Sequence, residues 1–112
     1  GAAAVVAHTQ HTRGLTSLYT TVVAEAADPE HPLHADFAAR YRRRAADTAA
    51  LLRAGQRAGE IAADIDPEAA ARLISAVMDG IQQQWLLDEA VDMTALFEEF
   101  VRGYLRPPAS PL

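Results

Sequence analysis

The residues of this chain best suited to metal chemistry are its four histidines. His8 and His11 stand three residues apart, as on one turn of a helix, and His31 and His34 flank a predicted helix start. The chain has no cysteine, and no histidine pair encloses the glutamate that a helical His-Glu-x-x-His zinc site requires. The pattern therefore predicts no metal site and no cofactor, and it assigns the histidines to polar or surface positions.

Residue patterns typical of enzymes are also missing from the sequence. No serine, histidine and aspartate follow a known nucleophile spacing, and no glycine-rich phosphate loop occurs. Glu98 and Glu99 are adjacent on a face that the helical pattern leaves exposed, so they do not form an acid–base pair. We predict that the chain is not an enzyme.

Arg44 is the charged residue best placed to bind a small molecule. Helical spacing sets it on an apolar stripe, between Tyr41 and Thr48. It could anchor the carboxylate of a ligand, or it could pair with Glu25. Alternatively, its aliphatic part packs at the edge of the stripe while its charge stays in water. The sequence leaves these alternatives open.

The composition indicates one acidic domain. The 112 residues are 50% hydrophobic, carry a formal net charge of −5 and use arginine for every basic position. A standing nucleic-acid binder would be expected to show a basic face, and the arginines at 40–44 are interpreted as a solvated helix surface. No apolar run could span a bilayer, and no secretion signal opens the chain. We expect a single cytoplasmic domain over residues 1–112 with no membrane contact.

The periodicity of apolar residues is helical throughout, which predicts an all-α bundle of about five helices. Gly59 suits a helix C-terminus, Asp66 and Asp92 suit helix N-caps, and Pro67 suits a first helical position. The third helix is long enough for a bend or break to be expected. The first three helices run from about Ala2 to Thr12, Leu15 to Ala27 and Leu33 to Ala58; the fourth opens at Asp66, and the fifth runs from Asp92 to Pro107-Pro108.

The last two predicted helices have apolar faces wider than one core requires. Their stripes are Ala70, Ile74, Val77, Met78, Ile81 and Trp85 on the fourth helix, and Met93, Phe97, Phe100, Val101 and Tyr104 on the fifth. Such width predicts a second buried surface, either a subunit partner or a pocket, although central burial in one protomer is the alternative. Gly80 and Gly103 flank these stripes and would permit close helix approach, unless they are simply tolerated glycines.

Three segments of the chain resemble one family of regulators. They are MDGIQQQWLLD at 78–88, AEAADPEHPLHADFAARY at 24–41 and GEIAADIDPEAAARLISA at 59–76. Taken in their order along the chain, they resemble the C-terminal domain of tetracycline-repressor-type (TetR-family) transcriptional regulators. The resemblance implies a single effector-binding and dimerisation domain. Residues 1–12 would then be the remnant of a helix leading to an N-terminal DNA-binding domain, and residues 107–112 a flexible tail.

The resemblance also implies a function. The last two helices would pair with their mates as a four-helix dimer interface, and the earlier helices would surround a mostly apolar pocket. A small apolar or aromatic effector would enter this pocket and release a repressor from DNA. The sequence contains no helix-turn-helix, so DNA contact is implied only through the missing N-terminal domain. The alternative is a stand-alone helical interaction module without a ligand.

Two sets of residues follow as predicted sites. The predicted pocket consists of Leu18, Tyr19, Val22, Phe37, Tyr41, Arg44, Met78, Gln82 and Trp85. The predicted homodimer interface consists of Ile74, Val77, Gly80, Ile81, Gln84, Phe97, Phe100, Gly103 and Tyr104.

Overall fold

The chain forms α-helices joined by short loops. The computed structural model describes the backbone of residues 2–109 and the side chains of residues 12–109. Within that range the helices are α1 (Ala2–Ala26), α2 (His34–Arg57), α3 (Pro67–Leu87) and α4 (Met93–Tyr104). This part of the chain contains no strand, so the predicted all-α class is confirmed. None of these helices is both long and apolar enough to cross a membrane.

One helix replaces the first two that the sequence predicted. α1 continues from Ala2 to Ala26 through Gly14, so the predicted break between residues 12 and 15 is wrong and the helix count is four. A glycine inside a helix costs about 1 kcal/mol relative to alanine, but it keeps its amide hydrogen bond and need not end the helix. α2 is likewise unbroken from His34 to Arg57.

The sequence predicted a structure for each chain end, and the described residues cover only part of each end. The predicted linking-helix remnant at 1–12 falls in the first turns of α1, where the side chains up to residue 11 lie outside the described set. The predicted tail at 107–112 is non-helical as far as residue 109, and residues 110–112 lie outside the description.

The predicted helix caps are confirmed. Gly59 follows α2 with φ +76°, and the amides of Glu60 and Gly59 donate to the carbonyls of Gly55 (2.9 Å) and Gln56 (3.1 Å). This pair of bonds is the Schellman arrangement that satisfies the last carbonyls of a helix. At the starts of α3 and α4, the carboxylates of Asp66 and Asp92 each accept a backbone N–H at 3.0 Å, and Pro67 opens α3.

Small residues form the contact between α2 and α3. Ala49 is 0% exposed and lies in one buried cluster with Ala45 and Ala71. Alanine at these positions lets the helix backbones approach closely, because no side chain beyond Cβ separates them. A second cluster consists of Leu52, Ala62, Ile65 and Ala70, with Ile61, Ile74, Tyr104 and Leu105 packed against it. The core is therefore made by α2, α3 and the loop between them.

Polar contacts hold α1 against this pair at both ends of its described part. Arg13 donates from Nη2 to the carbonyl of Leu86 (2.9 Å), and its Nη1 lies 2.9 Å from the carboxylate of Glu89. The same guanidinium stands 5.8 Å from the ring centroid of Trp85. We call this set the Arg13 clasp. At the other end of α1, Nδ1 of His34 lies 2.7 Å from the carbonyl of Ala26.

Candidate functional site

Two adjoining cavities lie where α1 crosses α2 and α3. The first has a volume of about 300 Å³ and is lined by Tyr19, Thr20, Val23, Ala24, Tyr41, Asp79, Gly80, Gln82 and Gln83. The second has a volume of about 260 Å³ and is lined by Tyr19, Arg44, Thr48, Ala71, Ile74, Ser75, Met78, Asp79 and Gln82. Tyr19, Asp79 and Gln82 border both. We call the two cavities together the α1–α3 groove.

A chain of polar side chains from three helices crosses this groove. The hydroxyl of Tyr41 on α2 donates to Oδ2 of Asp79 on α3 at 3.0 Å. Arg44 on α2 donates from Nη2 to the hydroxyl of Tyr19 on α1 at 3.5 Å, and its guanidinium lies 5.2 Å from the Tyr41 ring centroid. Tyr19 also meets Phe37 edge to face, with ring centroids 6.0 Å apart. Tyr19 thus links α1 to α2 through one polar and one aromatic contact.

The surroundings of Tyr41 keep its hydroxyl protonated. Burial raises the pKa of the Tyr41 phenol well above its ordinary value, and the neighbouring Tyr19 hydroxyl and Asp79 carboxylate raise it further. The hydrogen bond to Tyr19 likewise raises the pKa of Arg44, against the opposing effect of burial. At neutral pH the groove therefore contains a neutral phenol donor and a guanidinium cation.

The raised pKa of Tyr41 leads to a prediction about stability at high pH. A group whose pKa is higher in the folded state contributes stability that is fully present below its unfolded pKa, here 10.0, and is lost as pH rises through the folded value. Replacing Tyr41 by phenylalanine should cost about 1 kcal/mol at pH 7, because a half-exposed hydrogen bond to a carboxylate is lost. Above pH 10 the difference from the unmodified chain should shrink, as urea unfolding at both pH values would measure. An equal difference at pH 7 and pH 11 would contradict this account.

The structure brings together five of the nine predicted pocket residues. Tyr19, Tyr41, Arg44, Met78 and Gln82 line the α1–α3 groove. Phe37 lies beside it, in a shallower hollow of about 210 Å³ that it shares with Val23 and His34.

Leu18, Val22 and Trp85 do not line the groove. Leu18 is 62% exposed, and on α1 Val23 rather than Val22 lines the groove. Successive helical residues differ by about 100° in direction, so the crossing angle of α1 decides which of two adjacent valines faces α3. Trp85 lies at the Arg13 clasp, nearly one turn beyond Gln82.

Asp79 is the charged groove residue that the sequence prediction did not include. It borders both cavities and accepts the Tyr41 hydroxyl, yet it lies off the apolar stripe of α3. A signal was present: Ser75, Asp79 and Gln83 recur at a spacing of four, a polar line beside the stripe.

The predicted dimer residues divide into two groups. Gly80, Gln84 and Gly103 are exposed, and Val77, Phe97 and Phe100 are partly buried. Ile81, in contrast, is buried within one protomer at 6% exposure, and Ile74 and Tyr104 pack against the cluster around Leu52. These three side chains already have partners within the chain, so the exposed face lies to one side of the predicted one.

The described side chains form no group of three or more histidines, acids or cysteines that could hold a metal ion. His31 and His34 instead make local hydrogen bonds, His31 Nδ1 accepting the amide of Leu33 at 3.0 Å. His8 and His11 lie outside the side chains that the structure describes.

Comparison with known protein families assigns the chain to a family of transcriptional regulators. Residues 2–106 match the TetR-type family described as the C-terminal domain of BetI-type transcriptional repressors. The chain belongs to this family. The predicted resemblance to TetR-family C-terminal domains is confirmed, and the match spans all four helices. The family is one of transcriptional regulators rather than enzymes. No curated protein and no solved structure matches the chain.

Proposed function

We propose that this TetR-type domain binds a small effector in the α1–α3 groove and forms a two-fold homodimer through α3 and α4. In the regulator to which it belongs, DNA contact would lie in a separate N-terminal domain. Effector binding would displace α1 and release the regulator from DNA as a repressor. The family match supports the regulatory role, and the groove supports the effector role, since its two cavities together lie within the size range of small-molecule sites.

The observation that carries the dimer is the exposed apolar face of α3 and α4. Leu73, Gly80 and Leu87 follow one another at a spacing of seven on α3, and the two leucines are 45% and 78% exposed. On α4, Leu96 and Gly103 have the same spacing, and Leu96 is 44% exposed. A spacing of seven keeps residues on one face of a helix and is typical of helices that pack side by side.

The exposure of α4 also supports the proposed homodimer. This helix has a strongly apolar side that includes Phe97, Phe100, Val101 and Tyr104, yet none of its residues is buried within the protomer. The rings of Phe100 and Tyr104 stack with centroids 5.3 Å apart and remain partly exposed. An apolar surface of this kind on a monomer marks a contact site, because its burial by a second copy removes it from water.

Sedimentation of the purified chain at micromolar concentration tests the dimer. We expect a mass twice the 12.0 kDa of the chain, since a stable pairing of helix pairs buries on the order of 1,200–2,000 Å² or more. The mass should not depend on moderate salt, because the face is apolar rather than charged. A mass of one chain at these concentrations would refute the homodimer.

A further inference from the structure

The arginines of this chain differ in whether they have an acidic partner. Arg13, Arg53, Arg102 and Arg106 each lie in ion-pair contact with a carboxylate. The described side chains offer no such partner to the other six, Arg40, Arg42, Arg43, Arg44, Arg57 and Arg72. Of these only Arg44 lines the second cavity, from an exposed position. Its one polar contact, to Tyr19, is long at 3.5 Å. A guanidinium offers five N–H donors in a planar fork, so most of the donors of Arg44 remain free for a ligand.

Asp79 presents the opposite chemistry to the same cavity. Its carboxylate accepts one hydrogen bond from Tyr41, and a carboxylate can accept about four. It would repel an anionic group of a ligand and would accept an N–H or O–H from it. The guanidinium of Arg44 contacts the Tyr19 hydroxyl and the carboxylate of Asp79 accepts from Tyr41, and both charged groups line the second cavity, so a ligand there meets a donor and an acceptor.

The wall of the second cavity between these polar groups is apolar. It is formed by Ala71, Ile74 and Met78 of α3. A volume of about 260 Å³ lies just below the usual range for drug-sized ligands, about 300–1,000 Å³, and suits a compound with one ring.

From this arrangement we infer that the effector is a small aromatic or branched carboxylate with a hydrogen-bond donor at its far end. The carboxylate binds Arg44, the donor binds Asp79, and the apolar body contacts Ile74 and Met78. This inference rests on the proposed effector role of the groove and adds the chemical class of the ligand. The inference also predicts how the domain responds to the ligand. A carboxylate bound to Arg44 competes for the guanidinium that now contacts Tyr19 on α1, and this loosens the middle of that helix.

Calorimetric titration with three matched compounds tests the class. The probes are 4-hydroxyphenylacetate, its neutral amide and phenylacetate, which lacks the hydroxyl donor. We expect the hydroxy acid to bind at least tenfold more tightly than the amide and several-fold more tightly than phenylacetate. In Arg44→Gln the hydroxy acid should lose about tenfold in affinity while the amide is unaffected. Arg43→Gln, which removes the same charge from the adjacent exposed position, should change neither.

The outcomes separate this inference from the proposed function. Equal binding of acid and amide, or an unchanged acid affinity in Arg44→Gln, would overturn the carboxylate class and leave the groove as an effector site. Failure of all three compounds to bind at millimolar concentration would overturn the class as well. The dimer is measured independently by sedimentation, so neither result depends on it. Circular dichroism of Arg44→Gln shows whether its helices are intact.

Discussion

Replacing Gly80 by phenylalanine should convert the proposed dimer into a monomer while each protomer stays folded. A Cβ added at Gly80 would meet no atom within 4 Å in its own chain, and the residue is exposed. Within one protomer the substitution should even favour α3, because glycine is among the weakest helix formers. Gly80 also borders the first cavity of the groove, so the ring has open space within the protomer, and we expect the loss of dimer stability to come from contact with the partner. Overpacking costs about 1–3 kcal/mol per copy, and two copies meet at a two-fold axis, so the dissociation constant should rise by roughly thirtyfold or more.

Gly14→Phe is the matched control for this experiment. Gly14 is also a helical, exposed glycine at which an added Cβ would meet nothing within 4 Å, but it lies on α1, outside the proposed interface. We expect its sedimentation to equal that of the unmodified chain. A dimer that survives Gly80→Phe at micromolar concentration would exclude Gly80 from the centre of the interface. Loss of helical circular dichroism in Gly80→Phe would point to a fault within the protomer.

Replacing Ala49 by leucine should destabilise the domain by about 3 kcal/mol. Ala49 is 0% exposed, and with Ala45 and Ala71 it allows α2 to approach α3 closely. Three added carbon atoms have no space there, so the helices must separate or the leucine must adopt an unfavourable rotamer. Separation would also widen the groove, because its α2 and α3 walls carry Tyr41 and Asp79. A change of this size is a large part of the stability of a small domain.

Ala50→Leu supplies the comparison for the core substitution. Ala50 follows directly in the same helix but is exposed, and leucine forms helices almost as well as alanine. Urea unfolding at one fixed protein concentration should show a change within about 0.5 kcal/mol for Ala50→Leu. If the two variants unfolded at similar urea concentrations, Ala49 would not be the close contact between the helices.

Helix ends were the most predictable part of this fold. Asp66, Pro67, Asp92 and Gly59 act on backbone groups only a few residues away, so their roles can be inferred without knowledge of tertiary packing. The predicted break at Gly14 was wrong because glycine permits a break without requiring one. Whether a helix continues through it depends on contacts elsewhere along the helix.

The groove was predictable in its aromatic residues and less so in its geometry. Tyr19 and Tyr41 lie on stripes whose direction follows from helical spacing, and both line the groove. Whether Val23 or Val22 lines the groove depends on the angle at which α1 crosses α3, and periodicity within α1 cannot determine that angle. Asp79 was not predicted because a search for apolar stripes disregards a charged residue beside them. Its role is evident only when the hydroxyl of Tyr41 lies 3.0 Å away.

The Arg13 clasp has an optical consequence. Trp85 is the only tryptophan of the chain, and it lies beneath a cation carried by α1. Indole emission responds to nearby charge and to hydration, and the attraction between a guanidinium and an aromatic face decays within several ångströms. If α1 moves away from the end of α3, the indole loses its cation and gains water. The domain therefore carries an intrinsic fluorophore at the point where α1 meets the end of α3, so the motion proposed for α1 can be followed in solution without a label.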